Sequence, residues 1–205
     1  MPRGELQGMR KNLWMVLGLA VAATFMLTAC AAPPKVEIDA AKAALDSAAT
    51  AGATEYAPDA LKAAEDAQAA LDAELKAQEG KWFPSYTKAT ELATAAKSAG
   101  EKAVADAGAG KEKAKADATT AIEEAKGLLA EAQALLDKAP KGKGTAADIE
   151  AMKTDLTNAG ATIAEAETSL GGARFLDAKA KAEAAKTAAM TVKTAVETAM
   201  AAKGK

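Results

Sequence analysis

Few side chains in this sequence could carry out chemistry, and one of them is unique. The chain has 205 residues, with a single cysteine, Cys30, and no histidine. The lack of histidine excludes the Ser/His and Cys/His pairs of nucleophilic catalysis and most zinc sites. A thiol is a strong nucleophile and can form a stable thioether. Cys30 is therefore the residue at which the sequence indicates covalent chemistry.

The other polar side chains are those expected at helix ends and on exposed helix faces. Glu123 and Glu124 are predicted to lie on a solvated face. Gly108-Ala-Gly-Lys111 and Gly142-Lys-Gly-Thr145 lack the spacing of a phosphate-binding loop and follow no predicted strand, so both are interpreted as turns. The sequence thus predicts no catalytic group, no metal and no cofactor, and indicates that the protein is not an enzyme. The four serines are expected mostly at helix ends, as capping residues: Ser47, Ser85, Ser98 and Ser169.

Cys30 follows a segment with the three parts of a secretion signal. Arg10 and Lys11 precede an apolar stretch at 13–27, and small residues lead up to the cysteine. The apolar stretch is shorter than the roughly 20 residues of a spanning helix. We therefore predict a signal peptide at 1–29, and a membrane anchor with an incidental cysteine is the alternative. Met9 is an alternative start to Met1.

The residues Leu27-Thr28-Ala29-Cys30 resemble the lipobox of bacterial lipoproteins. The resemblance implies cleavage between Ala29 and Cys30, a diacylglyceryl group on the Cys30 thiol, and a further acyl chain such as palmitate on the new amino group. Two or three chains anchor a protein durably, whereas one does not. Ala31 and Ala32 stand where the family's inner-membrane retention signal would place an aspartate. The resemblance implies the periplasmic face of the outer membrane, with the inner membrane as the alternative.

The composition favours helices that form readily but bury only small side chains. Alanine is the most frequent residue and aromatics make up 3% of the chain. Alanine is the best helix former, but its burial removes little apolar surface from water. The formal charge of −2 shows no basic excess, so nucleic acid is not an expected partner.

Apolar residues recur every three or four positions, the spacing of one helix face. A first helix is predicted to end near Gly52, a second to run from Pro58 to Gly80, and a third to open near Pro84. A fourth helix is predicted to open at Thr145, which forms a capping box with Asp148, and to end at Gly171-Gly172. A last helix is predicted to begin near Phe175. The predicted fold is all-α, an elongated antiparallel helical bundle with coiled-coil seams.

An internal repeat predicts two helical units. Residues 86–97 line up with 175–186, and each segment follows a helix of similar length. We predict a lipidated cysteine and spacer at 30–35, a first three-helix unit at 36–108 and a second at 109–205. The units share a long central helix if the helix continues through Gly108 and Gly110. Glycine lowers helix stability by about 1 kcal/mol inside a helix. A bend or break there is therefore the alternative, and it would give a single bundle that is more compact.

The aromatic residues that follow Cys30 lie at or near predicted turns. The interpretation that we favour is that they fill the bundle ends, where alanine leaves gaps. The alternative is that they are contact sites for a ligand or partner. The set consists of Tyr56, Trp82, Phe83, Tyr86 and Phe175.

A second resemblance covers residues 40–107. Gly-Ala-Thr-Glu-Tyr-Ala-Pro at 52–58, followed by Leu61 and Ala64, is similar to a family of alanine-rich bacterial envelope proteins known only as a domain of unknown function. There the Tyr-Ala-Pro pattern opens a helix. The resemblance implies no activity.

These observations predict a structural, scaffolding or partner-docking role in the cell envelope. The expected partners are the membrane, through the lipid anchor, and an envelope protein or peptidoglycan. Lys141 and Lys143 in a basic loop could contact the envelope. Lys205 resembles the terminal lysine by which some lipoproteins are joined to peptidoglycan, so a tether is one alternative. A periplasmic carrier that binds an apolar ligand between the helices is another.

Overall fold

Six α-helices dominate the part of the chain that the computed structural model describes, residues 32–139 and 146–203. The described residues contain no strand, so the all-α prediction is confirmed. Thr145 of the predicted capping box lies outside the described residues. In chain order the helices are α1 (Lys35–Thr50), α2 (Ala53–Tyr56), α3 (Pro58–Glu79), α4 (Thr87–Asp137), α5 (Ala146–Gly171) and α6 (Phe175–Lys203).

Proline and glycine set several helix boundaries, as the sequence predicts. Pro58 is the first residue of α3, where its missing N–H group costs no helical hydrogen bond. Gly52 separates α1 from the short helix α2, which the sequence analysis did not predict. Its φ of 86° is left-handed, and an added Cβ would lie 3.3 Å from the Tyr56 ring, so the position suits glycine.

Helix α4 is continuous through Gly108 and Gly110, which decides between the two alternatives for this segment. The prediction of a turn at 108–111 is wrong. The buried alanine seam continues on both sides of the glycines, with Ala107 before them and Ala114 after them, so packing outweighs their low helix propensity. The chain divides into two compact units between Gly108 and Ala109.

The first unit is a three-helix arrangement of α1, α3 and the first part of α4. Ile38 near the start of α1 shares a buried cluster with Leu71 of α3 and Ala89 of α4. At the other end of these helices, Ala48 clusters with Ala64 and Ala103. Helix α1 therefore runs parallel to α4, and α3 runs antiparallel to both.

The second unit repeats this topology with the last part of α4, α5 and α6, and it buries larger side chains. Ile122, Ile163 and Ala182 meet in one cluster, while Leu136, Leu156 and Val196 meet in the next. Helices α4 and α6 are parallel here, and α5 is antiparallel to both.

Three ion pairs join α4 and α6 along the second unit. Each pair joins residues 62 positions apart, and successive pairs are one heptad apart. We call this set the ladder. Its members are Lys179–Asp117 at 2.9 Å, Lys186–Glu124 at 2.6 Å and Lys193–Glu131 at 2.7 Å.

Candidate interaction site

The residues to which the sequence assigns chemistry or envelope contact lie outside the described ranges. Ala29 and Cys30 of the predicted cleavage and lipidation site precede residue 32, and Lys141, Lys143 and Lys205 fall in the other two gaps. Their predicted roles therefore stay predictions. The carboxylates of Glu123 and Glu124 lie on the surface in ion pairs with lysines.

Within residues 32–139 and 146–203, no group of three or more histidine, cysteine, aspartate or glutamate side chains could hold a metal ion. None of the helices formed by those residues combines the length and the apolar character needed to cross a membrane. The feature that calls for an explanation is instead an exposed apolar surface.

Two adjacent aromatic side chains point into solvent at the turn between α3 and α4. Trp82 is 90% exposed and Phe83 is 86% exposed. For these two residues the interpretation as filling for the bundle end is wrong. It does describe Phe175, which is 6% exposed, and Tyr86, which packs against the buried cluster of the first unit. We call residues 80–86 the aromatic turn.

The aromatic turn is held in place by hydrogen bonds from the end of α3. The buried side chain of Gln78 accepts a hydrogen bond from the N–H of Ser85 at 3.1 Å and donates one to Glu74 at 2.6 Å. The carbonyl oxygen of Gln78 accepts from the N–H of Lys81 at 3.1 Å. Both sides of the Trp82-Phe83 pair are thus tied to one buried residue, so the exposed rings belong to a structured turn.

A charged contact strengthens the same network. Glu74, which accepts from Gln78, also pairs with Lys88 in the first turn of α4 at 3.0 Å. The hydrogen bond from Gln78 and that from Lys88 hold the pKa of the Glu74 carboxyl below its usual value. Glu74 therefore stays ionised at neutral pH and links α3 to α4 beside the aromatic turn.

The corresponding turn of the second unit is built similarly but presents no exposed aromatic pair. Ser169 is fully buried, donates a hydrogen bond to Asp177 at 2.6 Å and accepts one from Arg174 at 3.3 Å. Its connecting residues are Gly172, Ala173 and Arg174. The repeated fold therefore does not by itself require Trp82 and Phe83.

The aromatic turn lies at the end of the first unit where α1 begins. This follows from the packing of Ile38 with Tyr86, the last residue of the turn, and with Ala89 in the first turn of α4. Val36, in the first turn of α1, is 78% exposed at the same end. One end of the first unit therefore exposes three large apolar side chains, Val36, Trp82 and Phe83, which we call the apolar tip.

The sequence favours burial of Trp82 and Phe83, and it gives no sign that Val36 belongs to an exposed surface. A usable signal was the pairing of Trp82 and Phe83 as neighbours before a proline. Adjacent side chains in an irregular turn point in different directions, so both rarely enter one small core.

The grooves that are lined by described residues are open to solvent. One of about 400 Å³ lies between α4 and α5, beside Leu129, Gly160 and Ile163. A larger one of about 740 Å³ is lined by residues of α6 alone, including Met190 and Thr194. Both are surface depressions along the helices.

Comparison with known proteins gave no match. No protein-family model, no curated protein and no solved structure matches this chain.

Proposed function

We propose that this protein is a bacterial lipoprotein, anchored in the outer membrane through acyl chains on Cys30, whose helical body scaffolds the envelope or docks a partner in the periplasm. The observation that carries the proposal is Leu27-Thr28-Ala29-Cys30 directly after a basic and then apolar leader. A thiol at this position has a chemical reason, since it can be alkylated to a stable thioether.

The helical body supports a structural role in preference to a catalytic one. The chain has no histidine, and its one cysteine would be blocked by lipid. Its described residues form helices with alanine seams, joined in the second unit by the ladder. Helices of this kind present long charged faces, which suit contact with another protein or with the cell wall.

The experiment that tests the anchor uses metabolic labelling with an alkyne analogue of palmitate in a Gram-negative host. The wild-type chain should be labelled, recovered in the outer-membrane fraction and found by mass spectrometry to begin at Cys30. The Cys30→Ser chain should be unlabelled and should leave that fraction. Because the chain has a single cysteine, thiol-linked label reports on Cys30 alone.

A matched control keeps the thiol and changes the residue before it. Ala29→Arg places a large charged residue at the predicted cleavage position and should slow processing while Cys30 remains. Labelling and outer-membrane recovery that are equal in wild-type and Cys30→Ser chains would contradict the proposal.

A peptidoglycan tether through Lys205 is a second candidate, motivated by the resemblance of this lysine to the one by which some lipoproteins are joined to the cell wall. Digestion of purified cell wall should then release the chain with a muropeptide on Lys205, and Lys205→Arg should abolish this product. Lys203→Arg is the control, because it changes a neighbouring lysine and leaves the terminal one.

A carrier function is the remaining candidate, motivated by the grooves along the alanine-rich helices. Apolar ligands of drug size usually lose most of their surface to an enclosing pocket. The test is native mass spectrometry of the protein purified from envelope extracts. A stoichiometric apolar ligand would favour the carrier, and lipid found only at Cys30 would favour the scaffold.

A further inference from the structure

The apolar tip is more exposed than folding requires. Trp82 and Phe83 are 90% and 86% exposed, and Val36 is 78% exposed. Single exposed apolar residues are common on protein surfaces, but several grouped at one end indicate a contact surface. Gln78 accepts hydrogen bonds from the N–H groups of Ser85 and Lys81, which hold the aromatic turn in place, so binding there would order few additional residues.

The chain connects this same end to Cys30. Helix α1 begins at Lys35, and only residues 31–34 separate it from the cysteine. An extended segment of that length reaches at most about 18 Å. Acyl chains on Cys30 would therefore hold the first unit with the apolar tip close to the bilayer surface.

The chemistry of the tip suits a lipid interface. Tryptophan is enriched where lipid headgroups meet acyl chains, and phenylalanine and valine partition into the apolar side of that boundary. Neighbouring charges are mixed, with Lys35 and Lys81 close in sequence to Glu37 and Glu79. Such a balance favours apolar insertion over electrostatic attraction to anionic lipid.

Resting on the lipid anchor of the proposed function, we propose that Val36, Trp82 and Phe83 form a second membrane contact, which inserts into the headgroup region of the leaflet that holds Cys30. The occupant of the tip is thus a lipid surface. Two contacts at one end of the first unit restrict how that unit can tilt more than a single lipid anchor does.

The sequence provides a probe for this contact. The chain has two tryptophans, Trp14 and Trp82, and removal of residues 1–29 takes away Trp14. Trp82 would then be the only tryptophan of the mature protein. Its fluorescence can be read in the lipidated protein without any label.

The test measures the fluorescence emission of Trp82 in the mature lipidated protein bound to phosphatidylcholine vesicles. The reference is the same protein without vesicles or detergent, kept in solution by a separate protein that covers its acyl chains. We expect a shift to shorter wavelength, a several-fold loss of quenching by iodide, and quenching by lipids brominated near the headgroup. The Val36→Ser/Phe83→Ser variant should reduce all three effects. Met190→Ser removes an exposed apolar side chain of α6 and should leave them unchanged.

Mass spectrometry of the same preparation reports whether Cys30 is acylated, so the anchor and the second contact are tested separately. An acylated protein with water-exposed Trp82 on vesicles would overturn the second contact and leave the anchor in place. An unacylated protein whose Trp82 still shifts would support the contact and contradict the anchor. A protein partner crosslinked through residue 82, without any lipid-induced shift, would also overturn the inference.

Discussion

Gly100 of α4 packs against Ala44 of α1 with no room for a side chain between them. A Cβ on Gly100 would lie 2.8 Å from the Cβ of Ala44 and 2.8 Å from its carbonyl carbon. Carbon atoms that are not bonded pack at about 3.5 to 4.0 Å, so the two helices can lie this close only because Gly100 has no methyl group. The corresponding position in the second unit, by the offset from Tyr86 to Phe175, is the buried Ala189.

Gly100→Ala should destabilise the first unit. The added methyl would meet backbone atoms of α1, which cannot rotate away, so we expect a loss of about 1 to 3 kcal/mol of unfolding free energy from overpacking. This loss occurs although alanine has the higher helix propensity. The measurement is urea unfolding followed by circular dichroism.

Gly127→Ala is the control within the same helix. A Cβ there would meet nothing within 4 Å, so the substitution should add up to about 1 kcal/mol through helix propensity alone. Equal stability of the Gly100→Ala and Gly127→Ala chains would show that α1 does not approach α4 as described.

Reversing one charge of the ladder should lower stability, and reversing its partner should restore it. Lys186→Glu places a carboxylate against Glu124, and we expect Tm to fall by about 2 to 4 °C. Adding Glu124→Lys should recover most of this loss. Lys62→Glu disrupts an exposed pair within a single helix, α3, and should cost less. Thermal melts at low salt and again in 1 M NaCl measure the effect, since salt screens these pairs. A double variant no more stable than Lys186→Glu would contradict the ladder.

The pH dependence of stability should be flat around neutrality. Hydrogen bonds from Lys113 and Lys179 lower the pKa of Asp117, while those to Glu124 and Glu131 raise the pKa values of Lys186 and Lys193. A carboxyl with a lowered pKa stabilises the fold above its usual value of 3.8 and loses this contribution as pH falls through the folded value. A lysine with a raised pKa stabilises below 10.5 and loses this contribution as pH rises through the folded value.

The chain has no histidine to titrate between these limits. We therefore expect a constant Tm from about pH 5 to pH 9, with losses on both sides. Differential scanning calorimetry across that range is the measurement. A step in Tm near pH 6.5 would mean that an ionisable group outside the ladder controls stability.

Ser169→Ala should loosen the turn between α5 and α6. The buried hydroxyl donates to Asp177, and this bond is the largest cause of the lowered pKa of that carboxyl. Its removal should raise the pKa of Asp177 and lower Tm by about 2 to 4 °C. Ser47→Ala removes an exposed hydroxyl bonded within its own helix and should have almost no effect. Carbon-detected NMR titration of Asp177 distinguishes the loss of this hydrogen bond from general destabilisation, because only the former moves that pKa.

Helix periodicity and the repeat were readable from the sequence because each depends on local patterns. The seam of α6, from Phe175 through Ala182 to Val196, is buried as its three-four spacing predicts. Ala199, the next position in the same spacing, is exposed beyond the last buried residue of the helix, Val196.

Other features depend on the relation between distant segments. The ladder was missed, although heptad-spaced acids at 117, 124 and 131 and lysines at 179, 186 and 193 were visible. Their pairing requires knowing that α4 and α6 are parallel. The exposure of Trp82 was predicted wrongly because composition does not reveal whether a turn folds over the bundle end or away from it.

The even spacing of the ladder has a consequence for how α6 finds its place. Sliding α6 by one heptad would set Lys186 opposite Asp117 and Lys193 opposite Glu124, so two of the three attractions would survive the error. The charges alone therefore do not choose the position of α6. The position is set instead by the connection at 172–174, which is only three residues long. It is also set by Phe175, because a shift of α6 by one heptad would remove its ring from its buried site.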